Sequence, residues 1–164
     1  MSIYNATQAD ELDLCLKSLT MQELSTSQVV MVRDGPVHPD VEKCITKFSS
    51  SLPFEHLHFP SNRGLGCALH DGLEACSNEL VARVDSDDYS VPERFALQYD
   101  YLEENPTISV VGGWMKEHYL IDGASSAVVR QTPLNPLNIA HTAWRRNPVN
   151  HPTAMFRKSH VLES

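Results

Sequence analysis

The sequence predicts a three-layer α/β/α domain of Rossmann-like type, with a mainly parallel central sheet covered by helices on both faces. Three observations carry that expectation. Short β-rich runs alternate with stretches of helical periodicity along the chain, the pattern of parallel strands joined by crossover helices. Several apolar runs break off abruptly at polar turns. The length, 164 residues, suits one domain with a substantial core, and no repeat, low-complexity tract or linker divides it.

The elements follow in order. The chain opens on Met1-Ser2-Ile3-Tyr4-Asn5, a minimal first strand. A helix is predicted after Thr7, where Thr7 and Asp10 have capping-box spacing and Leu12, Cys15, Leu16 and Leu19 form one apolar stripe. Residues 27–33 (SQVVMVR) read as a strand that stops at Asp34-Gly35-Pro36. From Asp40 to Ser49 a second helix places Val41, Cys44, Ile45 and Phe48 on one face, with Pro39 at its start. Phe54 to Phe59 is a strand, and Ser61 to Gly66 is the loop beyond it. Cys67 to Cys76 is helical through Leu69, Leu73 and Cys76, and Glu79 to Val84 is a strand that runs straight into Asp85-Ser86-Asp87-Asp88. A helix after Pro92 reaches about Asn105 and packs through Phe95, Tyr99 and Leu102. Then come a strand from Ile108 to Gly113, a hairpin from Trp114 to Gln131 around Asp122-Gly123, a helix from about Pro136 to Arg146, and a strand from about Thr153 to Arg157.

Composition narrows the chemistry. Hydrophobic residues make up 41% and charged residues 21%, an ordinary globular balance. Thirteen basic against 21 acidic residues give a net charge of −8, which argues against nucleic acid as a partner. The four cysteines (Cys15, Cys44, Cys67, Cys76) lack a zinc-site pattern and read as buried free thiols of a reducing, cytoplasmic setting. No stretch has the apolar length needed to span a bilayer, and no signal peptide is visible.

Three strand ends carry candidate chemistry. Asp85, Asp87 and Asp88 crowd three carboxylates into four residues at the end of an apolar strand, where open parallel sheets bind ligands. Such carboxylates repel unless a cation or solvent offsets them, and a hard divalent ion shared with phosphates does so. An acidic turn that caps the following helix is the plain alternative. Asp34 could accept the imide N–H of a uracil, or simply form a turn before Gly35-Pro36. Tyr4-Asn5 offers a ring to stack on a base, or a half-buried tyrosine beside a turn. In the loop Asn62-Arg63-Gly64-Leu65-Gly66, Arg63 could meet a phosphate, although a bare strand-to-helix connection fits as well. A cation would also reconcile the negative net charge with a diphosphate ligand.

These residues, in this order, resemble family-2 glycosyltransferases: Tyr4-Asn5, Val32-Arg33-Asp34-Gly35, Asn62 to Gly66 with Ala68-Leu69 and Gly72-Leu73, then Val84 to Asp88 followed by Pro92-Glu93-Arg94-Phe95. The segment Asn147 to Lys158 is similar to the subgroup that builds bacterial surface polysaccharides, of the amylovoran galactosyltransferase type. The resemblance covers essentially the whole chain. It implies a GT-A fold that binds a nucleoside-diphosphate sugar, usually UDP-linked, with Mg²⁺ or Mn²⁺. By it Tyr4 and Asp34 hold the base, Asn5 and Arg63 belong to the nucleotide-sugar site, Asp87 and Asp88 lie at the ribose and the metal, Asp85 supports them, and His151 lies near donor or acceptor. A surface histidine beside Pro152 is the plain reading of His151.

Two departures stand out. Many members carry a second acidic residue where this chain has Arg33, and the downstream acidic motif that supplies the general base of inverting members is not found before Ser164. The expectation is therefore a domain short of part of its first strand and of a C-terminal catalytic portion, with Glu117 and Asp122 poor substitutes for the base. The implied reaction is inverting sugar transfer to the hydroxyl of a saccharide or lipid-linked acceptor, at the inner face of the membrane or in the cytoplasm. The rival readings are a metal-dependent phosphohydrolase or nucleotidyltransferase using Asp85 and Asp87, and a non-catalytic nucleotide-sugar-binding module.

Overall fold

The computed structural model describes residues 1–121 and 124–163. At its centre is β2 (Val29–Asp34), six residues that are all buried. That burial explains its unbroken apolar run, because a parallel strand covered on both faces has no wet side. β2 pairs in parallel with β1 (Ser2–Ile3) and, over its full length, with β3 (Phe54–Phe59). Alternation along β2 sorts its two faces. Val29 and Met31 pack with Leu12, Leu16, Val41 and Ile45 of α1 (Ala9–Thr20) and α2 (Pro39–Phe48). Val30 and Val32 pack with Ala68 of α3 (Leu65–Ala75). α3 comes closest at Gly72, where a Cβ would lie 2.9 Å from Val32 Cγ2.

A second sheet holds β4 (Leu80–Ala82), β5 (Val110–Val111) and β8 (Met155–Arg157), with β8 between the other two and antiparallel to both. The fold is thus α/β with an all-parallel first sheet and one reversed strand in the second. α4 (Arg94–Glu104) covers it, burying Phe95, Gln98 and Leu102. β6 (Met115–Ile121) and β7 (Ala124–Arg130) form the expected hairpin, whose anticipated turn at Asp122-Gly123 lies outside the described residues. α5 (Pro136–Ala143) starts under an Asn135 cap, its side chain accepting from Asn138 N. A 3-10 turn, His151–Thr153, leads into β8, and α6 (Lys158–Leu162) closes the described chain.

Several local expectations are corrected. α1 begins at Ala9 without a side-chain cap, because Thr7 Oγ1 instead accepts the Tyr4 N–H at 3.0 Å. Tyr99 lies on the outer side of α4 and is exposed, while Phe95 and Leu102 do the packing. Cys67, in the first turn of α3, is exposed, Cys76 is half-buried, and only Cys15 and Cys44 are buried. All four are free thiols. The strands of the second sheet are two or three residues long, and the helix over 158–162 was not anticipated. Its apolar positions are too few to set a period.

Candidate functional site

Each of the two sheets ends in one cluster of the predicted residues. At the tip of β2 the chain turns through Gly35, whose φ of +88° and tight approach to the next loop admit no side chain: a Cβ would sit 2.8 Å from Asn62 N. Asp34, 2% exposed, accepts the Arg63 N–H at 2.7 Å on one carboxylate oxygen and the Gly64 N–H at 2.9 Å on the other. It thereby fixes the Asn62–Gly64 loop, and each oxygen keeps a lone pair. The Arg63 guanidinium lies over the Phe59 ring, 4.5 Å from its centroid, and donates to Asp71 at 2.7 Å. Tyr4 presents a half-exposed ring beside the exposed Asn5.

Arg33 does not belong to this cluster. Alternation turns it to the α2 side of β2, where it donates to Glu42 at 2.7 Å and meets His58 Nε2 at 2.8 Å. The Arg33 substitution therefore leaves the Asp34 face untouched.

The second cluster forms where β4 gives way to Asp85-Ser86-Asp87-Asp88. Asp85 is gripped by Arg83 (Nε to Oδ1 3.1 Å) and approached by His151 (Nδ1 to Oδ2 3.4 Å), so the 3-10 turn before β8 brings a residue 66 positions away onto the motif. Asp88 N donates to Asp85 O at 3.3 Å, closing the turn. Asp87 is exposed and Asp88 half-buried. Burial raises the Asp88 carboxyl above its ordinary value, and the like charges of Asp87 and Asp85 push it further, against Arg94 and His151. That excess of negative potential is what a divalent cation would relieve.

A polar frame beneath the motif went unread in the sequence. Arg94, at the start of α4, donates to Arg83 O at 2.7 Å, Ser90 Oγ at 2.9 Å and Gln98 Oε1 at 3.2 Å. Burial lowers its guanidinium to about 10, opposed chiefly by the charge of Asp88. From α1, Cys15 Sγ donates to Asp85 O at 3.3 Å and Ser18 Oγ accepts the Ser90 N–H at 3.1 Å. Burial pushes the Cys15 thiol up to about 12, which keeps it a protonated donor. Gln22 donates to Val91 O at 2.9 Å and accepts the Phe95 N–H at 3.1 Å. Gln98 donates to Thr153 O at 2.7 Å, tying α4 to the His151 turn. The one readable signal was Arg94, two residues after Pro92 at a helix start. Ser18 sits at a helix position with no period of its own, and Gln22 lies in the loop just past the end of α1.

Two further residues are placed away from the clusters. Glu117 on the hairpin is paired with Arg130 at 2.7 Å and bonded by Tyr119, and these two partners hold its carboxyl below the ordinary value, which makes it a weaker base. Among the described residues, His70, Asp71 and Glu74 on α3 are a trio whose donor atoms come within 4.8 Å of one another. They lie on an outer helix face, and Asp71 is already tied to Arg63.

Chains of known structure share this architecture. The chain aligns over 99% of its length with S. aureus TarS 1-349 in complex with UDP-GlcNAc (TM-score 0.69, 19% identity, 46% of that chain). A mannosyltransferase, PcManGT from Pyrobaculum calidifontis in complex with GDP-Man and Mn²⁺, aligns equally widely (TM-score 0.68, 14% identity, 45% of that chain). The fold is GT-A. Residues 1–163 match Glycosyl transferase family 2, and the chain belongs to that family. Its curated relatives include the amylovoran biosynthesis glycosyltransferase AmsE of Erwinia amylovora, 35% identical over the whole chain and 60% of the relative. Another is the UDP-Gal:alpha-D-GlcNAc-diphosphoundecaprenol beta-1,3-galactosyltransferase of Escherichia coli, 28% identical over 99% of the chain and 58% of the relative. The chain thus spans about 60% of the length of such relatives. Among the described residues no helix is long and apolar enough to cross a membrane.

Proposed function

We propose that this chain is the donor-binding part of an inverting glycosyltransferase of polysaccharide biosynthesis, one that takes a UDP-linked sugar and serves a saccharide or lipid-linked saccharide acceptor at the inner face of the membrane. One observation carries the reading: Asp85, Asp88 and His151 converge at the end of β4, with the Asp34-anchored loop at the end of β2. Tyr4 and Asn5 border the base position, and Asp34 offers its remaining lone pairs to an imide N–H. Arg63 reaches toward phosphate once it exchanges Asp71 for the stronger anion. Asp87 and Asp88 are the residues that would hold Mg²⁺ or Mn²⁺, whose charge would stabilise the departing diphosphate. His151 lies where it can contact donor or acceptor. The Escherichia coli relative, named for a diphosphoundecaprenol acceptor, supports the acceptor class.

Calorimetric titration of UDP with and without Mn²⁺ tests this. Affinity should fall about tenfold or more without metal, and equally in Asp88→Ala with metal present. Binding that ignores both changes would overturn the assignment.

A further inference from the structure

α3 packs by one face only. Ala68 and Gly72 meet β2, and at about 100° per residue His70 and Glu74 fall on the far side of the helix, with Asp71 at its flank. These three side chains bring an imidazole and two carboxylates together, with donor atoms that all lie within 4.8 Å of one another. His70 Nε2 and Glu74 Oε1 are 3.7 Å apart, beyond hydrogen-bond reach. In a tetrahedral zinc shell, ligand atoms ~2.1 Å from the ion stand about 3.4 Å from each other. The gap between His70 and Glu74 is close to that spacing.

The cations nearby leave this gap open. Arg63 Nη1 donates to Asp71 Oδ2 at 2.7 Å, which engages one of the two carboxylate oxygens. Lys158 also reaches this helix, but it donates to the backbone carbonyls of Glu74 and Cys76. An ion pair between His70 and Glu74 would need a protonated ring, whereas a metal takes the neutral imidazole. Arg63 comes from the loop that Asp34 fixes by accepting its backbone N–H. Asp71 is thus shared between the trio and the donor-side loop.

We propose that His70, Asp71 and Glu74 form a second divalent-cation site, for a borderline ion such as Zn²⁺, coupled to the loop at the end of β3 through Arg63. The imidazole selects Zn²⁺ over Mg²⁺, and three protein ligands leave the remaining position of the shell to water. The site is distinct from the carboxylates of Asp87 and Asp88, which lie at the end of another strand. An ion on Asp71 competes with the Arg63 guanidinium for the same carboxylate, so occupancy frees Arg63 to turn toward a phosphate. That coupling rests on the donor reading proposed above, whereas the ion site does not.

Zn²⁺ is titrated calorimetrically into the 164-residue protein without nucleotide, in excess Mg²⁺ that occupies the hard carboxylate sites. A single ion should bind, and His70→Ala, Asp71→Ala and Glu74→Gln should each weaken it roughly tenfold or more. His56→Ala, which breaks the exposed pair of His56 and His58 on β3, should leave zinc affinity unchanged. No zinc uptake, uptake indifferent to the three α3 variants, or an equal loss in His56→Ala would overturn the site. Asp71→Ala also reads the coupling: the variant that loses zinc should gain UDP affinity severalfold in the absence of zinc, because its Arg63 is released. Unchanged or weaker UDP binding by that variant would overturn the coupling. If the parent fails to bind UDP at all, the donor reading and the coupling fall together, and the zinc titration alone decides the site.

Discussion

Arg94→Met isolates what the polar frame contributes. Methionine keeps much of the buried stem but removes the guanidinium, which donates at 2.7, 2.9 and 3.2 Å to Arg83 O, Ser90 Oγ and Gln98 Oε1 and more distantly, at 3.5 Å, to Ala154 O. Hydrogen bonds from charged donors contribute roughly 1.5–3 kcal/mol each, non-additively, and stripping the partner from a largely buried charged group costs about 3–5 kcal/mol. Arg83 O and Gln98 Oε1 would lose a donor together, and Asp88 would lose its main opposing cation. We expect a loss of about 3–5 kcal/mol in urea unfolding, or roughly 6–20 °C in Tm for a chain of this size. Arg130→Met on the hairpin is the internal comparison. Its pair with Glu117 is largely solvent-facing, so its loss should cost no more than about 1 kcal/mol. Arg94→Met within 1 kcal/mol of the parent would refute the claim that the motif rests on this residue.

Two further outcomes are expected. Gly35→Ala forces a side chain onto φ +88° and within 2.8 Å of Asn62 N, so it should cost about 1–3 kcal/mol and weaken UDP binding, both read on one purified variant. Asp88 has a folded pKa raised above its unfolded value, so its ionised form opposes folding above that folded pKa and the penalty is relieved as pH falls through it. Without metal, Asp88→Asn should therefore be more stable than the parent at pH 7, with the gap closing toward acid. Denaturant melts across pH check this, and a gap that widens toward acid would contradict it.

The layers were legible because apolar period and turn residues agree in the first 105 residues. β2, α2 and β3 fall within two residues of their predicted ends. Legibility failed where tertiary pairing sets structure. Met155 to Arg157 is a strand because it lies between β4 and β5, and nothing local announces that it runs antiparallel to both. Thr7 looked like a cap because its spacing permits one, yet its hydroxyl is taken by the Tyr4 N–H. In the site, the carboxylates and His151 were visible as residue types. Gln22 and Gln98 were not, since a polar residue in a loop or inside a helix reads as exposed until a buried partner is known.

The polar frame also has a physical reason. Three carboxylates in four residues would, unassisted, spread the turn apart or fold it onto any nearby cation. Here the backbone is fixed from behind instead: Cys15 holds Asp85 O, Ser18 and Gln22 hold the segment at Ser90 and Val91, and Arg94 holds Arg83 O. None of the contacts named engages the side chain of Asp87 or Asp88, so those carboxyls remain available while their carrier is rigid. The repulsion is left in place rather than neutralised, with Arg94 set in the buried layer behind and only Asp85 directly paired. A ligand that brings positive charge then gains the relief of that repulsion without reordering the loop, which is how preorganisation becomes affinity.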